Sequence, residues 1–292
     1  MSDLLHLQPR TTDLAAGLQV RRVLPAARQR SVGPFVFFDH FGPVTLAAEA
    51  HSDVGPHPHI GLATVTYLFE GRFVHRDSLG TVQEILPGAL NWMSAGRGIV
   101  HSERTPPDPQ GQARRLHGLQ LWVALPADQE EGDPAFQHVP AERIPSLQVE
   151  GAAVRVLVGQ AFGQESPVRV ASPTLYLDVS LPAGGRLELP PLAQQMAVYS
   201  PEQPLQVAGE ALPACEMGVL DAAAATTLQA GDVPVRLVVI GGEALASPRG
   251  MWWNFVATRR ELIEQAAKRW EAGGFDPIPG ETGRVAAPPW RG

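Results

Sequence analysis

Four residues in the first half of the chain combine metal-binding chemistry with a spacing that would bring them together. His57 and His59 stand two positions apart in GPHPHIG, and His101 and Glu103 stand two apart in GIVHSE. Side chains at positions i and i+2 of a β-strand point to the same face. Two neighbouring strands would therefore present three imidazoles and one carboxylate to a single point. Such donors suit iron, copper, nickel, manganese or zinc, and leave positions open for water, oxygen or substrate.

The distribution of histidine restricts this chemistry to the first half of the sequence. All nine histidines occur at or before His138, and residues 139–292 contain none. Because imidazole is the commonest protein ligand for transition metals, the second half is predicted to have a different role. Asp39, Asp53 and Ser102 are candidates to accept the second ring N–H of a ligating histidine.

The elements that must position these residues have the pattern of short strands. Residues 63–69 (ATVTYLF) and 116–125 (LHGLQLWVAL) are apolar, β-branched or aromatic runs bounded by turn residues. The 29 glycines and 28 prolines are spread throughout the chain, which favours many short strands joined by turns. Residues 259–270 have an apolar face at helical spacing. Thr258 and Glu261 form a capping-box pattern that predicts where this helix begins.

The strand pattern divides into two halves of similar rhythm. Residues 126–150 contain several prolines and the acidic stretch PADQEEGDP, so they are predicted to be a linker. We therefore predict a metal-bearing domain over residues 1–138 and a metal-free domain over residues 139–292, which ends in the helix near 259–270. The similar rhythm of the two halves predicts a tandem repeat of one small barrel.

Composition excludes several classes of partner. The net charge is −7 and Lys268 is the only lysine, which does not favour direct nucleic-acid binding. Cys215 is the only cysteine, so no intrachain disulfide can form, as expected in a reducing compartment. No stretch approaches the roughly 20 apolar residues of a membrane helix, and the segment MSDLLHLQPR lacks the apolar core of a signal peptide. We predict a cytoplasmic protein that has no membrane partner.

Several segments share their order and composition with one known family. GPHPHIGLATVTYLFEG, HRDSLG, SAGRGIVHSE and LHGLQLWVALP resemble the motifs of the pirin family, a branch of the cupin superfamily, and MWWNF resembles its bacterial members. The resemblance implies an all-β bicupin of two stacked small antiparallel β-barrels of jelly-roll type, with a short C-terminal helix. It also implies a monomer with one metal in the N-terminal barrel, held by His57, His59, His101 and Glu103. Iron, as Fe2+, is the usual metal, and other divalent transition metals fit the same ligands. A carboxylate at Glu103 rather than near Thr64 is the pirin variant of the cupin pattern.

Three functions are compatible with this resemblance. The first is an oxygenase of the quercetin 2,3-dioxygenase type, which acts on a small aromatic flavonol or related enol with molecular oxygen and uses Glu103 as the base that removes a hydroxyl proton. The second is an iron-dependent redox-sensing regulatory protein that acts on a protein partner such as a transcription factor or metabolic enzyme. The third is a structural cupin with an adventitious metal.

Overall fold

Short strands make up most of the regular structure. The computed structural model describes residues 4–13, 19–48, 50, 53–106, 111–221 and 223–290. Within these ranges the chain forms strands and one α-helix, α1 (Arg260–Glu271). The prediction of an all-β fold with a short C-terminal helix is therefore confirmed. No helix in the described part of the chain is long and apolar enough to cross a membrane.

The strands are labelled in chain order. Those of the first 139 residues are β1 (Leu5–Leu7), β2 (Arg10–Asp13), β3 (Gln19–Leu24), β4 (Phe35–Leu46), β5 (Val54–His59), β6 (Leu62–Glu70), β7 (Phe73–Asp77), β8 (Val82–Ile85), β9 (Leu90–Ser94), β10 (Ile99–Arg104), β11 (Arg114–Ala124) and β12 (Ala135–Val139). Those that follow are β13 (Ser146–Val149), β14 (Ala152–Val158), β15 (Gln160–Ala161), β16 (Gln164–Glu165), β17 (Thr174–Leu181), β18 (Arg186–Leu189), β19 (Gln195–Tyr199), β20 (Leu205–Val207), β21 (Glu210–Leu212), β22 (Met217–Leu220), β23 (Thr226–Ala230), β24 (Val235–Gly242), β25 (Gly250–Trp252) and β26 (Phe255–Ala257).

The chain forms two compact units that are interleaved in sequence. Unit 1 comprises residues 1–11, 21–40 and 142–245, and unit 2 comprises residues 12–20, 41–141 and 246–292. This division differs from the predicted contiguous domains 1–138 and 139–292. The reason is that the two chain ends pack away from their sequence neighbours. Strand β1 pairs with β22 in unit 1, whereas α1 packs in unit 2, where Ile263 and Trp270 share an apolar cluster with Ile60 and Val100.

Each unit is built on a long and a short sheet. In unit 1 these have the strand orders β1-β22-β19-β24-β17-β14-β13 and β18-β23-β20-β21. The core of unit 1 is apolar and includes Val156, Leu177 and Val239, each with no exposed surface. In unit 2 the short sheet has the order β5-β10-β7-β8 and carries all four predicted metal ligands. Its long sheet has the strand order β12-β9-β6-β11-β4-β3-β2.

Two local predictions from the sequence are wrong, namely the linker over residues 126–150 and the capping box that begins at Thr258. Residues 126–150 are folded rather than a linker, since they include β12, which pairs with β9, and the strand β13. Glu130 in this segment is 2% exposed and accepts hydrogen bonds from the backbone N–H and the hydroxyl of Thr258. Thr258 precedes the N-cap position, so the predicted capping box does not form. Helix α1 begins after Arg259, which makes no side-chain capping bond.

Candidate metal centre

The three predicted histidine ligands lie on two adjacent antiparallel strands of unit 2. His57 and His59 are on β5, and His101 is on β10 directly opposite His57. Strand β10 also places Ile99 opposite His59, so both histidines of β5 have a β10 neighbour on the same face. All three histidines are buried, with exposed fractions of 8%, 1% and 2%. The i, i+2 spacing therefore places His57 and His59 on the same face of β5, as strand geometry requires.

The three imidazoles converge on one point. One nitrogen from each of His57, His59 and His101 lies within 4.8 Å of the others. The Nε2 atoms of His59 and His101 are 3.1 Å apart. Two nitrogen lone pairs at that distance repel each other unless a proton or a cation lies between them. The same spacing is expected of two ligands that each lie about 2.1 Å from a shared ion at roughly a right angle.

Two of the histidines are oriented by backbone carbonyl groups. His57 Nδ1 is 2.8 Å from the Gly55 carbonyl oxygen, and His59 Nδ1 is 3.1 Å from that of Asn254. A carbonyl oxygen only accepts, so each Nδ1 carries the hydrogen and each Nε2 keeps its lone pair. This arrangement fixes the tautomer needed for metal binding through Nε2.

The side chains predicted to orient the histidines have other partners. Asp39 belongs to unit 1 and accepts two hydrogen bonds from Arg22, both at 2.8 Å. Asp53 accepts the backbone N–H of Thr105. Ser102 alternates with His101 along β10 and so points to the opposite face. None of the candidates Asp39, Asp53 and Ser102 accepts the N–H of His57 or His59, because backbone carbonyl groups perform this role.

Burial keeps the three histidines neutral. Removal from water lowers the pKa of His57 to about 4. Burial also lowers the pKa values of His59 and His101 well below the ordinary value, and the charge of neighbouring His57 lowers both further. At neutral pH the unprotonated nitrogens are therefore available as ligands without the loss of a proton.

Glu103 lies next to the cluster but outside it. It stands two residues beyond His101 on the same face of β10, and it pairs with His75 on the adjacent strand β7. Its carboxylate does not belong to the group of ligand atoms within 4.8 Å of one another among the described residues. Glu103 keeps part of its surface exposed, yet burial raises the pKa of its carboxyl to about 7.

A fourth histidine, His75, and the aromatic rings of Phe136 and Trp122 lie near the cluster. The ring of His75 is 5.3 Å from that of His101 and stacks on Phe136 at 4.5 Å. Its Nε2 is 2.9 Å from Asp77 Oδ2, so this nitrogen is held by a carboxylate. The indole of Trp122 lies 5.3 Å from His59. The centre is therefore walled by rings on at least two sides, which limits the access of water.

The donor set fits a transition metal. Three neutral imidazoles whose ring nitrogens converge on one point match the chemistry of iron, copper, nickel, manganese and zinc sites. The close approach of the Nε2 atoms of His59 and His101 is the structural feature that a bound cation would stabilise. We conclude that the cluster of His57, His59 and His101 is suited to one metal ion.

Two residues that contact the ligand strands, Asn254 and Glu281, were not predicted from the sequence. Asn254 is 195 positions from His59, and its contribution is a backbone carbonyl, which leaves no signal in residue type. Its neighbours in MWWNF were recognisable only as a family motif. Glu281, which contacts Ser102 and Arg104 on β10, is in a segment for which no structure was predicted.

Comparisons with known proteins agree with this arrangement. Residues 17–123 match the Pirin family model, and residues 176–276 match the model of the pirin C-terminal cupin domain. A pirin-like protein of Caulobacter vibrioides is 41% identical over 92% of this chain and 93% of its own length. A Pseudomonas aeruginosa protein, provisionally named a quercetin 2,3-dioxygenase, is 36% identical over 98% of this chain and 90% of its own. The crystal structure of quercetin 2,3-dioxygenase from Acinetobacter baumannii has a TM-score of 0.91 and 35% identity, and the match covers 99% of this chain and 96% of that one. These matches confirm the predicted bicupin fold.

Proposed function

Because the chain belongs to the pirin family of cupins, we propose that it is a metal-dependent oxygenase of the quercetin 2,3-dioxygenase type that uses Fe2+. The observation that carries this proposal is the cluster of three buried, neutral histidines in unit 2. The proposal is supported by the relatives in Acinetobacter baumannii and Pseudomonas aeruginosa, whose names refer to this reaction and which match almost the whole chain. The substrate class we propose is a flavonol or a related aromatic enol.

Each residue of the site has a definite role in this proposal. His57, His59 and His101 would hold the metal, and Glu103, on the same strand as His101, would complete the ligand set. When bound, the metal supplies Lewis-acid chemistry at an open coordination position. When it loosens from the metal, Glu103 would remove the proton from the substrate hydroxyl, for which its position on the same face as His101 is suited. The burial of the histidines keeps water away from the reacting groups.

Oxygen uptake tests the proposal directly. Protein loaded anaerobically with Fe2+ is mixed with quercetin in aerated buffer, and the oxygen consumed and carbon monoxide released are measured. We expect uptake that requires quercetin, is lost in His101→Ala, and is lost in Glu103→Gln while much of the metal stays bound. A lack of uptake by protein with iron confirmed bound would refute the oxygenase and favour the iron-dependent redox-sensing protein. The cytoplasmic location and the monomeric state stay predictions from sequence and family resemblance.

A further inference from the structure

An irregular segment near the C-terminus lies against the strands that carry the ligands. We define residues 276–290, all in unit 2, as the strap. The Val285 N–H donates to the Pro56 carbonyl oxygen at 2.8 Å, which ties the strap to β5 next to His57. The Trp270 indole N–H donates to the Val285 carbonyl oxygen at 3.1 Å, so helix α1 supports the strap from the other side.

Glu281 ties the same strap to β10. Its side chain is 8% exposed. Its Oε1 accepts from the Ser102 hydroxyl at 2.6 Å. The guanidinium of Arg104 donates to both oxygens, and Arg76 on β7 lies 3.8 Å away. A carboxylate bound by both nitrogens of a guanidinium fork is among the stronger and more directional contacts in proteins.

These contacts act on the strand that carries two of the four proposed ligands. Along β10, Ser102 and Arg104 alternate with His101 and Glu103, so the two pairs point to opposite faces. Glu281 therefore holds β10 from the face opposite the metal. Since the backbone is extended and inextensible, a shift at Ser102 or Arg104 is transmitted to the ligands on either side of them.

His101 depends on its strand more than the other two histidines do. His57 and His59 each have an Nδ1 hydrogen bond to a carbonyl oxygen. The Nδ1 of His101 is buried and has no hydrogen-bond partner among the residues that the structure describes. Ligating histidines normally gain their orientation from such a bond. Without it, the ring of His101 is oriented by the position of β10 and by its packing.

We propose that Glu281 is a positioning residue of the metal centre, which fixes β10 through Ser102 and Arg104 and so orients His101 and Glu103. This inference rests on the metal centre of the proposed function. The simpler alternative is that Glu281 only anchors the C-terminal strap. An anchor would contribute to stability alone, whereas a positioning residue also determines the affinity and the geometry of the metal site.

The test uses Co2+ as the probe, because its visible absorption reports coordination geometry and requires no turnover. The full chain and its Glu281→Gln variant are freed of metal with a chelator and titrated with Co2+. Glu264→Gln is the matched control, since Glu264 is a half-exposed glutamate on α1 that pairs with Lys268. We expect Glu281→Gln to bind Co2+ roughly 10–100-fold more weakly, the typical cost of disturbing groups behind the ligands. The absorption bands of its Co2+-saturated form should also shift, whereas those of Glu264→Gln should not.

Each outcome decides between the two roles of Glu281. If the dissociation constant and the saturated spectrum of Glu281→Gln match those of Glu264→Gln, the positioning role is overturned, whatever the melting temperature. If Glu281→Gln fails to fold, Arg104→Lys takes its place, because it keeps the charge but removes the bidentate contact. It should shift the spectrum in the same direction, and an unchanged spectrum would overturn the proposal. A wild-type chain that binds no Co2+ would refute the metal centre itself.

Discussion

Replacement of Glu103 by Gln should stabilise the metal-free protein at alkaline pH. The folded state raises the pKa of this carboxyl from 4.5 to about 7, because burial disfavours the charged form. Between pH 4.5 and about 7, the folded protein therefore keeps a proton on Glu103 that the unfolded chain has already lost. Stability falls as the pH rises through this window, and Gln, which has no charge to bury, avoids the loss.

The magnitude follows from the two pKa values. Ionisation of Glu103 should cost the folded protein about 2.5 kcal/mol more at pH 8 than at pH 5. The difference in unfolding free energy between Glu103→Gln and wild type should grow by that amount over the same interval. Burial keeps His57, His59 and His101 neutral at these pH values, and they are common to both proteins, so their contributions cancel.

The assay can be restricted to the unit that holds Glu103. All six tryptophans of the chain lie in unit 2, so the change in tryptophan fluorescence during urea unfolding reports that unit. Unfolding is measured at pH 5 and pH 8 in the presence of a chelator, with Glu264→Gln as the control for loss of a surface charge. If the difference in unfolding free energy between Glu103→Gln and wild type stays constant between pH 5 and pH 8 to within about 0.5 kcal/mol, folding does not raise the pKa of Glu103.

Four further perturbations test the packing and the metal centre, with unfolding of unit 2 as the readout. Gly61→Ala should cost more than about 3 kcal/mol, because its φ is +67° and the new Cβ would lie 1.9 Å from a backbone oxygen. Gly80→Ala, at φ +86° with nothing within 4 Å, should cost only about 1–2 kcal/mol, and equal costs would contradict the steric argument. Glu130→Ala leaves the buried guanidinium of Arg249 unpaired and should cost about 3–5 kcal/mol, whereas a loss under 1 kcal/mol would show that this pair is solvated. Co2+ at a hundredfold excess over its dissociation constant should stabilise wild type by about 2.7 kcal/mol and His101→Ala hardly at all, and equal stabilisation would place the ion elsewhere.

The sequence was sufficient to predict the parts of the site that depend on strand periodicity. The two-residue spacing of His57 and His59 specifies a shared face once the segment is extended, and β5 is extended. The apolar run at residues 63–69 lies within β6, and the run at 116–125 lies largely within β11. Periodicity is a local property of a segment, so it can be recognised without knowledge of which other segments the strand will contact.

The sequence was not sufficient where distant segments decide the outcome. The local pattern places the start of the helix at Thr258, but the N-cap is Arg259, and the Thr258 hydroxyl donates to the buried Glu130, 128 positions away. The Asn254 carbonyl orients His59 because a hairpin brings it there, and every residue type has that carbonyl. Glu281 reaches Ser102 across 179 positions. Such pairings depend on tertiary packing, which neither spacing nor composition records.

In the proposed function, His57, His59 and His101 together hold one metal ion. X-ray absorption spectroscopy of the anaerobically Fe2+-loaded chain, with the iron content measured on the same sample, tests it most directly. We expect one iron per chain and the multiple-scattering signature of three imidazole ligands. Any iron that the His101→Ala variant retains should have one imidazole ligand fewer. Iron bound at less than a stoichiometric amount, or an imidazole count that the His101→Ala substitution leaves unchanged, would contradict it.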